Sequence, residues 1–498
     1  MNCITVKNNQ RVPLSSIPLL EYEQFLEHNT SLLKETQNHC VNYYGLSYQG
    51  QIKLICCIAN DGEGTIYVSS SHVKAGQSLP SFTAHHLAFE KFEREIHENF
   101  DITYIDHPWL KPVRYPFNRA DSSKTIAGYP FFNIESEELH EVGVGPIHAG
   151  IIEPGHFRFI CNGEQILHLE IQLGYQHRGI EQLFLEKKKI LQRITLAESI
   201  AGDTVTGHTT AFVNLWESLC GFNPDRDLQF ARTLALEIER IAVHTGDMSA
   251  ICTDVAYQLG SSVFGRLRTP VINYFQQWCG NRLAKSLIRA GKTNFPYSNE
   301  LAEKLLKVLD DYEPDFNEMC KETFSLPTAL GRFEKTGIVS RDDASNIGTV
   351  GMSARTSGIN RDIRSSHPHD LYKELNHQPI VKRHGDVYSR AQVRKEEIKQ
   401  SIGYIRKLLQ NIPEENKSRP ELRVPDANMF VISLIEGWRG EICHCAITDD
   451  RGDLLHYKIK DPSFHNWLAL ALAVRNNEIS DFPICNKSFD LSYCGHDL

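Results

Sequence analysis

His148, Glu153, His156 and Arg158 fall within one short stretch, GPIHAGIIEPGHFRF, whose other side chains are apolar or small. Three further stretches have the same texture. LGYQHRGIEQLF brings together His177, Arg178 and Glu181; GMSARTSGINRDIRSSHP carries Arg355, Arg361, Asp362 and Arg364; EGWRGEICHC carries Glu436, Arg439 and His444. Ionisable groups are seldom buried unless paired, so such segments form either structural ion-pair networks or a polar cavity. From residue types alone the two readings carry equal weight. In a cavity, buried carboxylates such as Glu153 and Asp362, with proton affinities raised by burial, would pass protons near neutral pH.

Other chemistry-bearing patterns dissolve on inspection. AGKT at 290–293 ends like a phosphate loop, but its leading glycine is replaced by Ser286, and the residues before it read as helix. GVGPIHAG is glycine-rich, yet proline within it and the lack of a following helical pattern argue against a dinucleotide fold. RGD at 451–453 reads as a hairpin turn. Thirteen cysteines are scattered without any C-x-x-C, so buried, reduced thiols are expected for most of them. Cys485, Cys494 and His496 could form a metal-binding tail, but their spacing matches no established site.

The elements that must position these residues follow from periodicity. IKLICCIAN and GTIYVSS read as strands and FTAHHLAFEKFEREIHENF as an amphipathic helix, an α+β unit over residues 1–118. Residues 119–140, rich in Pro, Ser and Gly, read as a linker. From VGVGPIHAG onward, over 141–498, the texture reads as mainly helical with peripheral strands. LFLEKKKILQRITLAES reads as one helix. In RDLQFARTLALEIERIAVHTGD, Asp227 is the expected N-cap and Gly246 the expected stop. His177 and Glu181 are expected one helical turn apart on a common face. The chain closes with a strand pair around DDRGD, a helix and a short tail.

Length suggests two to four domains. A formal net charge of −9 without a basic stripe argues against nucleic-acid binding. The start, MNCITVKNNQRVPL, lacks the apolar core of a signal peptide, and no apolar run approaches the roughly 18 to 20 residues that cross a bilayer. A cytoplasmic protein attached to the inner face of the membrane through partner subunits is the expectation.

The blocks GPIHAGIIEPGHFRF, GYQHRGIEQL, RTSGINRDIR, GDVYSRAQVRKEE and DPSFHNWLAL, in this order, resemble the large subunit of group 4 [NiFe] hydrogenases. They also resemble its relative, the 49-kDa quinone-cavity subunit of respiratory complex I. The resemblance covers about residue 140 to the C-terminus. FEREIHENFDITYIDHPWLKPVRYP resembles the end of the complex I 30-kDa subunit, so the chain looks like a fusion of the two. The implied fold is α+β: a small N-terminal α/β domain, then a large, mainly helical hydrogenase-large-subunit-like domain with peripheral β-strands.

In those hydrogenases a block E-R-x-C-G-x-C-x-x-x-H and a C-terminal C-x-x-C hold nickel and iron through four thiolates, soft ligands that such metals require. Here the first block reads Glu198-Ser-Ile-Ala201-Gly202-Asp-Thr204-Val-Thr-Gly-His208. At the C-terminus, SFDLSYCG aligns Asp490, with Ser492 and Gly495 in the cysteine positions and Cys494 between them. The resemblance therefore implies a scaffold without a nickel–iron centre, and the chain ends about where a matured hydrogenase ends.

The resemblance further implies that His177 and Arg178, with Glu181, lie beside an iron–sulfur cluster held by a partner small subunit. The arginine would raise that cluster's potential. His148 matches a histidine of the complex I quinone cavity, and Arg439 the arginine over the hydrogenase iron. Gly202 stands near the position of the quinone-binding tyrosine, which has no counterpart here. The implied function is that of a subunit in a complex I-like, NADH:quinone-oxidoreductase- or hydrogenase-related membrane complex. It would couple electron transfer to an acceptor, with quinone the candidate, and to ion translocation by antiporter-like and other integral membrane subunits. A non-catalytic structural subunit is the alternative; a working hydrogenase ranks last.

Overall fold

A computed structural model describes residues 2–148 and 153–498. The N-terminal unit is built on an antiparallel meander, Asn38–Tyr48, Gln51–Asn60 and Thr65–Val73, with Ile4–Val6 antiparallel and Leu19–Leu20 parallel to its third strand. Helices Tyr22–Leu32 and Glu90–Phe100 accompany it. On one side Phe25, Tyr43, Leu54, Cys56, Phe82, Phe89 and Phe92 pack together. On the other, Val41, Tyr44, Ile55 and Cys57 pack against Phe430, Ile432, Cys443 and Cys445 of a second sheet. Burial on both faces explains why IKLICCIAN is a continuous apolar run rather than an alternating one.

That second sheet comprises Met429–Glu436, Glu441–Thr448 and Leu454–Lys460. Val12–Pro13, from the other end of the chain, pairs with Met429 and Phe430. Asp449 to Asp453 make the turn between the last two strands. The N-terminal unit and the C-terminal sheet thus share a core.

The remainder is mainly helical, and its core gathers Phe212, Leu215, Leu234, Ile238, Ile241, Phe264, Tyr312 and Ile398. The fold is α+β, as the sequence implies. Several local expectations give way. The described residues of 140–172 form not a helix but a three-stranded antiparallel sheet, His140–Val144, His156–Asn162 and Gln165–Gln172. Phe157, Phe159, Cys161, Ile166 and Leu169 point from this sheet into a satellite core with Trp467 and Leu470. The stretch read as one helix breaks at the three lysines 187–189 into Ile180–Glu186 and Ile190–Ala197.

Helix Arg226–Asp254 has Asp225 rather than Asp227 as its N-cap, and it runs through Gly246. There the missing side chain admits Arg268, whose Nε lies 3.0 Å from where a Cβ would stand. Buried Met248, Ile251 and Cys252 continue the apolar stripe beyond it. The AGKT motif joins Ile288–Arg289 to Lys292–Thr293 in a two-stranded ladder, and residues 280–287 just before it are not helical. All thirteen cysteines are free, eleven of them buried.

Candidate functional site

Two distant segments meet in the helical body. One runs from Ala201 to His208, entering helix Val205–Leu219; the other is the tail, with helices Phe482–Phe489 and Tyr493–Asp497. Three side chains tie them together. Arg439 donates to Asp203 (Nη1–Oδ1 2.8 Å) and to Thr204 Oγ1 (3.2 Å), and its Nε donates to the Asp490 carbonyl. Arg178 donates to the carbonyls of Ser199, Ile200 and Cys494 at 2.6, 2.9 and 3.0 Å. Asp461 accepts from His208 Nε2 at 3.0 Å and lies 2.8 Å from where a Cβ on Gly495 would stand.

The turn presenting Arg439 depends on glycine. Gly440 (φ +142) lies against Gly351 (φ +62), and a Cβ on Gly351 would come within 2.1 Å of the Gly440 Cα. L side chains rarely adopt either backbone conformation, so this backbone-to-backbone crossing requires both glycines. Trp438 lies 4.0 Å under the Arg439 guanidinium and anchors its indole N–H on the Asp203 carbonyl. Asp203, Asp490 and Asp461 hold Arg439 as a firm cation against the pull of burial.

Ala201, Thr204, Ser492 and Gly495 are all buried here. None of the four offers a thiolate. The Thr204 hydroxyl faces a guanidinium, the Ser492 hydroxyl accepts from Gly495 N at 2.9 Å, and the Asp461 carboxylate crowds the Cβ position of Gly495. These groups do not fit a nickel–iron pair, whose ligands are soft sulfur.

The arrangement holds two sets of groups suited to moving protons. Tyr457 O–H lies 2.7 Å from His444 Nδ1, His444 Nε2 lies 3.1 Å from His208 Nδ1, and His208 Nε2 reaches Asp461. With both rings neutral, donors can point in one direction along the whole line, from Tyr457 to Asp461. Burial and the neighbouring His208 keep His444 well below the usual histidine range, which favours that neutral state. The second set is acidic. Burial, reinforced by the negative charge of Asp247, pushes Asp490 up to about 7. Glu239, buried beneath the amide of Thr206 (2.8 Å), is pushed up to about 7, chiefly by desolvation.

Asp362 departs from the expectation of proton transfer near neutrality. Arg364 (2.7 Å), His377 (2.9 Å) and Arg355 (3.2 Å) surround it, outweigh burial and hold it far below the usual carboxylate range. Arg355 also grips Glu397 (2.6 Å) and Glu436 (2.7 Å), and His244 and Arg240 close the cluster on Glu397. For this segment the ion-pair network is the reading the structure bears. Glu436, pushed up to about 7 by burial and by Asp362, is its protonatable member.

Glu153 sits against the tail, its carboxylate 3.3 and 3.4 Å from the Tyr493 and Cys494 amides. His148 turns back on its own loop, with Nε2 2.8 Å from the Gly155 carbonyl. Residues 149–152 of the same block lie outside the described residues. His177 and Glu181 do not share a helical face, because Gly179, in the left-handed conformation, starts the helix after His177. His177 Nδ1 instead meets the Asp497 carbonyl (2.7 Å), while Glu181 accepts from Ile459 N (2.8 Å) and pairs with Lys458 (3.2 Å). Arg178 is exposed and Gly202 open to solvent. Cys485 and His496 do not converge on Cys494: the Cys485 thiol packs beside Gly337, and the His496 ring lies against Phe464.

Sequence reasoning missed Asp203, Asp461, Glu239 and Tyr457. Asp461 lies in the DPSFHNWLAL block, where a lone acid heading an otherwise apolar helix was the available signal.

Comparison with known proteins agrees with this architecture. Residues 257–430 match the family model of the respiratory-chain NADH dehydrogenase 49-kDa subunit. The C/D-type NADH-quinone oxidoreductase protein of Phocaeicola vulgatus is 27% identical over 470 residues, covering 86% of this chain and 89% of its own. Hydrogenase-4 component G of Escherichia coli is 25% identical over 473 residues, covering 91% and 80% respectively. The chain is thus similar to the complex I 49-kDa subunit and to hydrogenase subunits alike. Both of these relatives extend over the N-terminal unit as well, in keeping with a C/D-type fusion. Membrane-bound hydrogenase subunit alpha of Pyrococcus furiosus, 26% identical over 369 residues, covers 70% of this chain and 85% of its own. By name the relatives are oxidoreductase subunits. Among the described residues no helix is long and apolar enough to cross a membrane.

Proposed function

We propose that this chain is a subunit of a membrane-attached, complex I-like oxidoreductase whose hydrogenase-type cleft works without nickel. The observation that carries the reading is the junction of Ala201–His208 with the tail, tied by Arg439, Arg178 and Asp461. The four positions that the resemblance assigns to thiolates are Ala201, Thr204, Ser492 and Gly495, and the cation beside them is Arg439. A guanidinium bonded to Thr204 replaces soft-ligand chemistry with a fixed positive charge, which stabilises electron density arriving beside it.

In this reading electrons come from an iron–sulfur cluster in a partner small subunit docked near His177 and exposed Arg178. An acceptor that takes up protons with its electrons, as a quinone takes two of each, enters near His148 and Glu153. Asp490, poised near neutrality, gives up a proton on the cleft side, and Glu239 and the Tyr457–His444–His208–Asp461 line hold others. Attachment at the inner membrane face runs through partner subunits, which carry proton or sodium translocation. For the Arg355–Asp362–Glu397 cluster, opposite charges on every side of each member favour a structural role.

The test is acceptor reduction by the assembled complex carrying Arg439→Lys, Asp490→Asn or His148→Ala, with cluster reduction followed in parallel by paramagnetic resonance. A tenfold or greater fall in acceptor turnover, with cluster reduction and assembly intact, supports the proposal. Unchanged turnover in all three would leave the non-catalytic structural role as the better reading.

A further inference from the structure

Away from this cleft, a cavity of about 690 Å³ opens where the N-terminal unit, the linker and helix Ser463–Ala473 meet. That volume lies within the roughly 300 to 1,000 Å³ of small-molecule sites. Trp109, Tyr129, Leu169 and Trp467 give it mostly apolar walls. Its acids are already satisfied. Glu90 pairs with Arg94 and accepts from the Trp109 indole at 2.6 Å; Glu170 pairs with Lys111 and accepts from Phe132 N at 2.7 Å.

One side chain on the wall and one ring nitrogen are left without hydrogen-bond partners. Lys91 makes no hydrogen bond or ion pair among the described residues, and its ammonium lies 5.8 Å from the centre of the Phe464 ring. His496, 2% exposed, meets Asp497 through Nδ1 at 2.8 Å, while its buried Nε2 has no partner. Burial, with Arg94 and Arg114 adding to it against Glu90 and Asp497, pushes Lys91 down to about 7. An anion placed beside it would restore its charge.

We propose that this cavity binds a small amphipathic anion, its acidic head against Lys91 and its apolar body between Trp109, Tyr129 and Trp467. An unpaired ammonium at one end of an aromatic-walled pocket selects for a ligand of that polarity. An occupant would bridge the N-terminal unit and the tail, because His496 belongs to the tail and Trp467 bonds the Ser492 carbonyl at 3.3 Å.

The experiment is a fluorescence titration of the full chain with 8-anilinonaphthalene-1-sulfonate, then displacement by decanoate and by 1-decanol. The expected result is one saturable site from which decanoate displaces the probe at least tenfold better than decanol. Lys91→Met should weaken both anions by roughly tenfold or more, the usual range for losing a charged hydrogen bond. Ala471→Trp, which fills the cavity, should abolish binding. Absence of a saturable site, equal displacement by decanol, or binding unmoved by both variants would overturn the proposal. Should Lys91→Met fail to fold, hydrogen exchange on the unmodified chain decides: decanoate should protect residues 109–113, 129–132 and 167–173, and no protection there overturns it.

Discussion

Replacing Asp490 by asparagine should stabilise the chain, and by more at high pH than at low. Asp490 caps helix Phe482–Phe489 in the left-handed region (φ 47), which asparagine tolerates, so the backbone is left unstrained. In the folded chain burial and Asp247 push its carboxyl from 3.8 up to about 7. A carboxyl raised on folding contributes stability that is complete below its unfolded value and is lost as pH rises through its folded value. Each pH unit in that window costs the parent about 1.4 kcal/mol relative to an amide that does not titrate. Between pH 5 and pH 7 that is ~3 kcal/mol. The side chain is 25% exposed, and solvent screening through that part lowers the figure to ~2 kcal/mol. Urea denaturation of parent and Asp490→Asn at pH 5, 6, 7 and 8 measures it directly. The gain from the substitution should grow through pH 7 and then level off. A gain independent of pH, or a variant losing stability as pH rises, would refute the like-charge and burial argument.

Other consequences are sharper in sign than in size. Arg355→Leu should cost ~3 to 5 kcal/mol, read by urea denaturation, because it strands buried Glu436 and takes one cation from Glu397 and one from Asp362. Gly495→Ala should cost about 1 to 3 kcal/mol by the same assay, since its Cβ would meet the Asp461 carboxylate at 2.8 Å. Tyr457→Phe, which removes the hydroxyl beside His444 Nδ1, should cost about 1 kcal/mol. It should also slow acceptor reduction and enlarge its solvent isotope effect, leaving cluster reduction unchanged.

Much of the fold could be read from local pattern, because the strands around Cys56 and Cys57 and the helix bearing Leu234 and Ile238 declare themselves by periodicity. The three-stranded sheet at 140–172 could not, since its glycines and prolines mask the alternation of Phe157, Phe159 and Cys161. Gly246 misleads for a related reason: it marks a close approach of Arg268, not a helix end. The site was visible only through the resemblance of the two segments that form it. Its acids were not, because Asp461 meets His208 across 253 residues and Asp247 acts on Asp490 from another helix. Asp362 shows the same limit in reverse: a buried aspartate looks protonatable until His377, Arg355 and Arg364 are seen around it.

In the reading proposed here, Ala201, Thr204, Ser492 and Gly495 stand where soft-metal ligands would be needed, with Arg439 and Asp461 beside them. The nickel and iron content of the intact complex, purified without oxygen, probes that substitution without relying on any variant. Iron at the stoichiometry of the partner's clusters, with nickel absent, is the predicted result. Stoichiometric nickel would contradict the nickel-free reading and require thiolates at the cleft other than those the chain supplies there.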